Sequence, residues 1–135
     1  MYKRLAHIGI AVKDLQASTS LFSALFDMRS EHVEEVPEQR VKVAFFRIGD
    51  SGIELLEATA PDSPIAKFIE KRGEGVHHLS FEVDDIEAEI ARLKNEGFQL
   101  IDETPRIGAD GYLVAFLHPR STNGVLVEIS EKMRR

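Results

Sequence analysis

The stretch GVHHLSFEVDDIEAEI, residues 75–90, joins a strand pattern to a helix pattern through a pair of aspartates. Val76–Val83 alternates, Asp84 and Asp85 supply caps, and Ile86, Ile90 and Leu93 recur at helical spacing until Gly97 closes the helix. The two histidines that open the strand point to opposite faces, because successive strand residues do. His77 shares a face with Leu79, Phe81 and Val83, which predicts packing beneath helices. His78 shares its face with Ser80 and Glu82, small and polar neighbours that leave room for a ligand.

The same pattern occurs earlier in the chain. His7, Val12, Asp14 and Ala17 precede His78, Val83, Asp85 and Ala88 by 71 residues each. Leu5–Val12 reads as a strand, and Asp14 caps a helix carrying Leu15, Phe22, Leu25 and Phe26. A strand near 30–35 follows, then a turn at Pro37-Glu38-Gln39-Arg40 and a hairpin of Val41–Ile48 with Gly52–Glu57. Ser63-Pro64 starts a linking helix over about 63–72. After the second helix come a short strand at Leu100-Ile101 and two more at Leu113–Leu117 and Gly124–Ser130. Each half therefore reads strand–helix–strand–strand–strand, module one over about 5–60 and module two over about 76–130, within a single 1–135 domain. Each half also ends in a triplet of apolar, Glu, apolar: Ile53-Glu54-Leu55 and Val127-Glu128-Ile129.

A repeat brings equivalent residues together around a pseudo-twofold axis. One strand histidine is ordinarily a satisfied structural residue, and one strand glutamate between aliphatics an ordinary solvated one. Four of them in matching places, His7, Glu54, His78 and Glu128, form instead a two-imidazole, two-carboxylate set suited to a divalent metal.

Composition narrows the function classes. The 135 residues carry a net charge of −6, which argues against nucleic acid as a partner. The longest apolar runs fall far short of a membrane span, and MYKRLAHIGIAV makes a poor secretory signal. Without cysteine there is neither a disulfide framework nor a thiolate metal site, and a cytoplasmic location is expected. Nucleophile triads, P-loops and dinucleotide fingerprints have no support.

This pattern resembles the vicinal oxygen chelate superfamily from Leu5 to Ser130. Within it the chain is similar to the methylmalonyl-CoA epimerase family through HIGIAVKDL (7–15), IELLEATAPDSPIAKF (53–68), GEGVHHLSFEVDDI (73–86) and RIGADGYLVAFLHPRSTNGVLVEI (106–129). The resemblance implies an α+β fold of two tandem βαβββ modules forming an open, barrel-like mixed sheet around a central metal. It makes His7, Glu54, His78 and Glu128 the metal ligands, with cobalt first and manganese, nickel or zinc as alternatives. It implies interconversion of (2R)- and (2S)-methylmalonyl-CoA by proton abstraction at C2 through a metal-stabilised enolate, with Glu128 and Glu54 as catalytic bases. It also implies a homodimer. One departure is specific. Some epimerases have glutamine at the position of Glu54 and a catalytic glutamate on the preceding strand, where this chain has Val43.

The CoA thioester substrate needs contacts of its own. Gly108-Ala109-Asp110-Gly111 either offers backbone N–H groups to a carboxylate or is a plain turn before a strand. Arg120 is a candidate for the CoA phosphates, as are Arg106, Lys71, Arg72 and Lys13, though each also reads as a solvated charge. His118, ahead of Pro119, is read as structural before substrate-contacting, and His32 as a surface residue. Two alternatives remain: a lactoylglutathione lyase like glyoxalase I with the same four ligands, and a non-catalytic small-molecule-binding protein of the same fold.

Overall fold

The protein, as a computed structural model, is described over residues 1–133. Eight strands and three helices alternate along it: β1 (Tyr2–Ala11), α1 (Leu15–Phe26), β2 (Val33–Val36), β3 (Val41–Ile48), β4 (Ser51–Ala58), α2 (Pro64–Arg72), β5 (Gly75–Val83), α3 (Ile86–Asn95), β6 (Arg106–Ile107), β7 (Tyr112–Leu117) and β8 (Val127–Lys132). The strands form one mixed sheet in the order β2-β3-β4-β1-β5-β8-β7-β6. The chain divides into two compact units, Ile8–His77 and Met1–His7 with the residues from His78 onward, so β1 contributes a half to each.

Both units start their helices by the same chemistry. Asp14 Oδ1 accepts the Ala17 N–H at 3.1 Å, and Asp85 Oδ1 accepts the Ala88 N–H at 3.1 Å. A glutamate three residues beyond each triplet glutamate takes another free amide of the first turn. Glu57 accepts from Leu15 N at 2.6 Å and Glu131 from Ile86 N at 2.8 Å. Ser63 caps α2 through Ile65 N at 3.1 Å, with Pro64 leading the helix.

The cores repeat as well. Val12, Leu15, Ala44, Phe46 and Leu55 cluster in one unit; Val83, Ile86, Ala115, Leu117 and Ile129, with Ile90 and Leu93, cluster in the other. Burying such side chains stabilises each unit by about 1.5–3 kcal/mol apiece.

Several boundaries differ from those the pattern predicts. β1 begins at Tyr2, three residues early, because its polar residues are held by partners: Arg4 Nε donates to Glu82 at 2.8 Å, and Tyr2 OH to Glu89 at 2.7 Å. β2 starts at Val33. Leu100-Ile101 forms a single bridge, Leu100 to Leu117, while Arg106–Ile107 forms the unforeseen short strand β6.

Candidate functional site

Each repeat builds a histidine and a glutamate by one register rule. In the second repeat, β5 runs parallel to β8 and Ser80, two residues beyond His78, stands opposite Glu128. In the first, β1 runs parallel to β4 and Gly9, two residues beyond His7, stands opposite Glu54. Across the other edge, each glutamate faces a phenylalanine on an antiparallel strand, Phe45 for Glu54 and Phe116 for Glu128. Parity and pairing therefore aim the imidazole and carboxylate of a repeat to the same side of its strands.

The groups converge. His7 Nε2 lies 3.0 Å from His78 Nε2, with the rings edge to face at 83°. Glu128 Oε1 is 3.4 Å from His7 Nε2 and 4.0 Å from His78 Nε2. His7, Glu54 and His78 each offer a ligand atom within 4.8 Å of the other two, a group that could hold a metal ion. Ligands of one such ion, each bound at ~2.1 Å, stand roughly 3–4 Å apart. The His7, His78 and Glu128 separations fall in that range, and the mixed imidazole–carboxylate donor set suits a divalent cation. Glu54 is 8% exposed, His78 4% and Glu128 4%, and buried carboxylates require positive charge or hydrogen bonds nearby. The residues fit the ion.

His77 takes the other side of β5. Its ring packs edge to face on Phe68 of α2, 4.9 Å between centroids. Burial there lowers its pKa to about 4, against a smaller opposing pull from Glu54, so the ring is neutral at ordinary pH. The face assignment holds, and the face His78 shares is the more buried of the two. Ser80 and Glu82 are 0% and 7% exposed, whereas His77, Leu79 and Phe81 are half-buried. The polar face is the deeper one because its members are paired across strands, Ser80 with Glu128 and Glu82 with Ser130, and because Arg4 covers Glu82.

Val43 is buried on β3, two residues before Phe45 and opposite Leu56, and brings no carboxylate. Gly108, Ala109, Asp110 and Gly111 form the turn between β6 and β7. Gly108 N–H donates to Tyr112 O at 2.8 Å, and Asp110 adopts a left-handed conformation at φ 58°. A Cβ on Gly108 would meet Val114 at 2.8 Å, so the close strand approach requires glycine. His118 Nδ1 accepts the Arg120 N–H at 3.0 Å, a cap for the turn Pro119–Ser121, and Arg120 itself is exposed. Arg106 Nε pairs with Asp102 at 3.1 Å; Lys13, Lys71 and Arg72 are exposed. His32 lies 3.5 Å from Glu34.

The pattern reading missed the Arg4–Glu82–Tyr112 link, in which Arg4 Nη2 also donates to the Tyr112 hydroxyl at 3.3 Å. The available signal was a glutamate sharing the face of a candidate ligand. No helix of the described residues is long and apolar enough to cross a membrane.

Residues 6–116 match the family model of the glyoxalase/bleomycin resistance protein/dioxygenase superfamily. A Dictyostelium discoideum protein named mitochondrial methylmalonyl-CoA epimerase is 44% identical over 96% of this chain and 78% of its own length. A Cereibacter sphaeroides ethylmalonyl-CoA/methylmalonyl-CoA epimerase is 39% identical over 97% of this chain and 99% of its own. A solved methylmalonyl-CoA epimerase in complex with methylmalonyl-CoA and ammonium superposes with a TM-score of 0.95 at 36% identity, covering 98% of this chain and 96% of that one.

Proposed function

The chain belongs to the glyoxalase/bleomycin resistance protein/dioxygenase superfamily, and on that premise we propose that it interconverts the C2 epimers of methylmalonyl-CoA. The observation that carries the reading is the doubled register, which sets a glutamate opposite the second residue after a histidine in both repeats, in a chain whose relatives include epimerases of this substrate.

In this reading His7, Glu54, His78 and Glu128 hold a divalent ion, with cobalt as its identity and manganese, nickel or zinc as the other candidates. When bound, the ion supplies Lewis-acid stabilisation of the negative charge that C2 deprotonation places on the thioester oxygen. The protein supplies the proton transfers. Epimerisation requires one base to take the C2 proton and an acid on the other face to return one. Glu128 is one of these groups. Glu54 is the other, since Val43 cannot serve where some relatives have a carboxylate. Both glutamates are nearly solvent-free, so a proton they take is shielded from bulk water during a turnover. The turn Gly108-Ala109-Asp110-Gly111 and Arg120 receive the polar parts of the CoA thioester.

A cytoplasmic home accords with a chain free of cysteine. A homodimer accords with α1, which has no charged residue over its twelve positions and exposes Leu21 and Leu25. In a chain of net charge −6, an uncharged face meets a copy of itself without repulsion.

The competing glyoxalase I-like reaction uses the same donor set. Metal-loaded protein is to be given methylmalonyl-CoA and, separately, methylglyoxal with glutathione. Turnover of the first alone is expected; turnover of the second alone sinks the epimerase reading.

A further inference from the structure

Ser80 is a buried polar group that the reaction as described leaves unused. It lies on β5 between His78 and Glu82 with 0% exposure, and its Oγ has no hydrogen-bond partner among the described residues. Folded proteins keep few such hydroxyls, and each calls for a reason. Three polar neighbours share its face. Glu82 is engaged by Arg4 at 2.8 Å and Lys3 at 3.8 Å. His78 turns Nε2 toward His7. Glu128 stands directly opposite Ser80 on the adjacent parallel strand.

The first repeat supplies the comparison. At the place of Ser80 it has Gly9, directly opposite Glu54. One step further along, it pairs Ala11 with Leu56 where the second repeat pairs Glu82 with Ser130. The two glutamates thus hold equivalent backbone positions, yet the residue directly opposite is a serine for one and a glycine for the other.

We propose that Ser80 is a positioning residue for Glu128. Rotation about χ1 brings its O–H to donate to the Glu128 carboxylate, and the bond fixes the orientation in which that carboxylate exchanges a proton with C2. The proposal rests on the epimerase reading and adds an asymmetry to it: the proton transfer through Glu128 depends on Ser80, and the first repeat has Gly9 in the equivalent place.

The test uses metal-loaded full chains of wild type, Ser80→Ala and Ser80→Thr. Epimerisation kinetics, deuterium wash-in at C2 from D₂O starting from each epimer, metal content and thermal midpoint are measured. In Ser80→Ala, kcat is expected to fall roughly tenfold with KM within about twofold. Metal content stays at the wild-type level, and the midpoint falls by no more than about a few degrees, the loss of one buried hydrogen bond. Wash-in slows more from one epimer than from the other, and Ser80→Thr recovers most of kcat. An alanine variant with kcat near wild type overturns the proposal. So does equal slowing from both epimers, or a loss of kcat that tracks a lower midpoint and lost metal. A wild-type chain that exchanges no C2 proton overturns the epimerase reading itself, and this proposal with it, before any variant is compared.

Discussion

Histidines 77 and 78 differ by one position and by everything that surrounds them. His77 is neutral against Phe68, and His78 meets His7. His77→Ala is expected to keep metal at wild-type stoichiometry while losing about 1–3 kcal/mol of stability in urea titration, the cost of an emptied packing site. His78→Ala is expected to lose the metal. Metal lost from the first and kept by the second would refute the register. At position 54, Glu54→Gln with substrate deuterated at C2 is expected to turn over roughly a hundredfold or more slowly while retaining metal; near wild-type turnover would remove Glu54 from proton transfer. The two histidines could be ranked from sequence because strand parity and the repeat both separate them. The burial of Ser80 could not be, because a small polar residue reads the same whether it lines a space or fills one.

Among the elements, the helices were the more legible. Asp14, Ser63 and Asp85 announce their starts, and all three accept the expected amides. The strand ends were less so, since β6 has two residues and too few positions to show alternation. Tyr2-Lys3-Arg4 lacks an apolar pattern because partners distant in the sequence, Glu82 and Glu89, hold that end of β1. One of these contacts carries a pH signature. Tyr2 OH donates to Glu89, and burial together with that carboxylate pushes the phenol up to about 12 from 10.0. A raised acid binds its proton more tightly when folded, so its stabilisation is present below pH 10 and is lost as the pH rises toward 12. Thermal midpoints measured from pH 8 upward are expected to fall more steeply for wild type than for Tyr2→Phe. Parallel curves would show that the phenol is not coupled to folding.

Across the whole molecule, the repeat is what made the fold readable. Spacing of 71 residues predicted two like modules, and the cores, caps and His–Glu registers obey it. The weight of its exceptions was invisible without coordinates: the 71-residue spacing aligns Gly9 with Ser80, but only the strand pairing shows each opposite its glutamate. The exposed leucines of α1 are where the proposed homodimer is tested. Leu21 and Leu25 are 65% and 69% exposed, and Leu21→Glu with Leu25→Glu is expected to convert a dimer to monomer in sedimentation velocity without altering the circular dichroism of the fold. An unchanged sedimentation coefficient would place the contact elsewhere. The central claim, proton transfer at C2 by this doubled site, is tested most directly by mass spectrometry. One epimer of methylmalonyl-CoA is incubated in D₂O with metal-loaded protein. One deuterium at C2 with both epimers present is predicted, the signal vanishing after chelation and in Glu128→Gln. Substrate recovered unlabelled and as a single epimer would contradict the account.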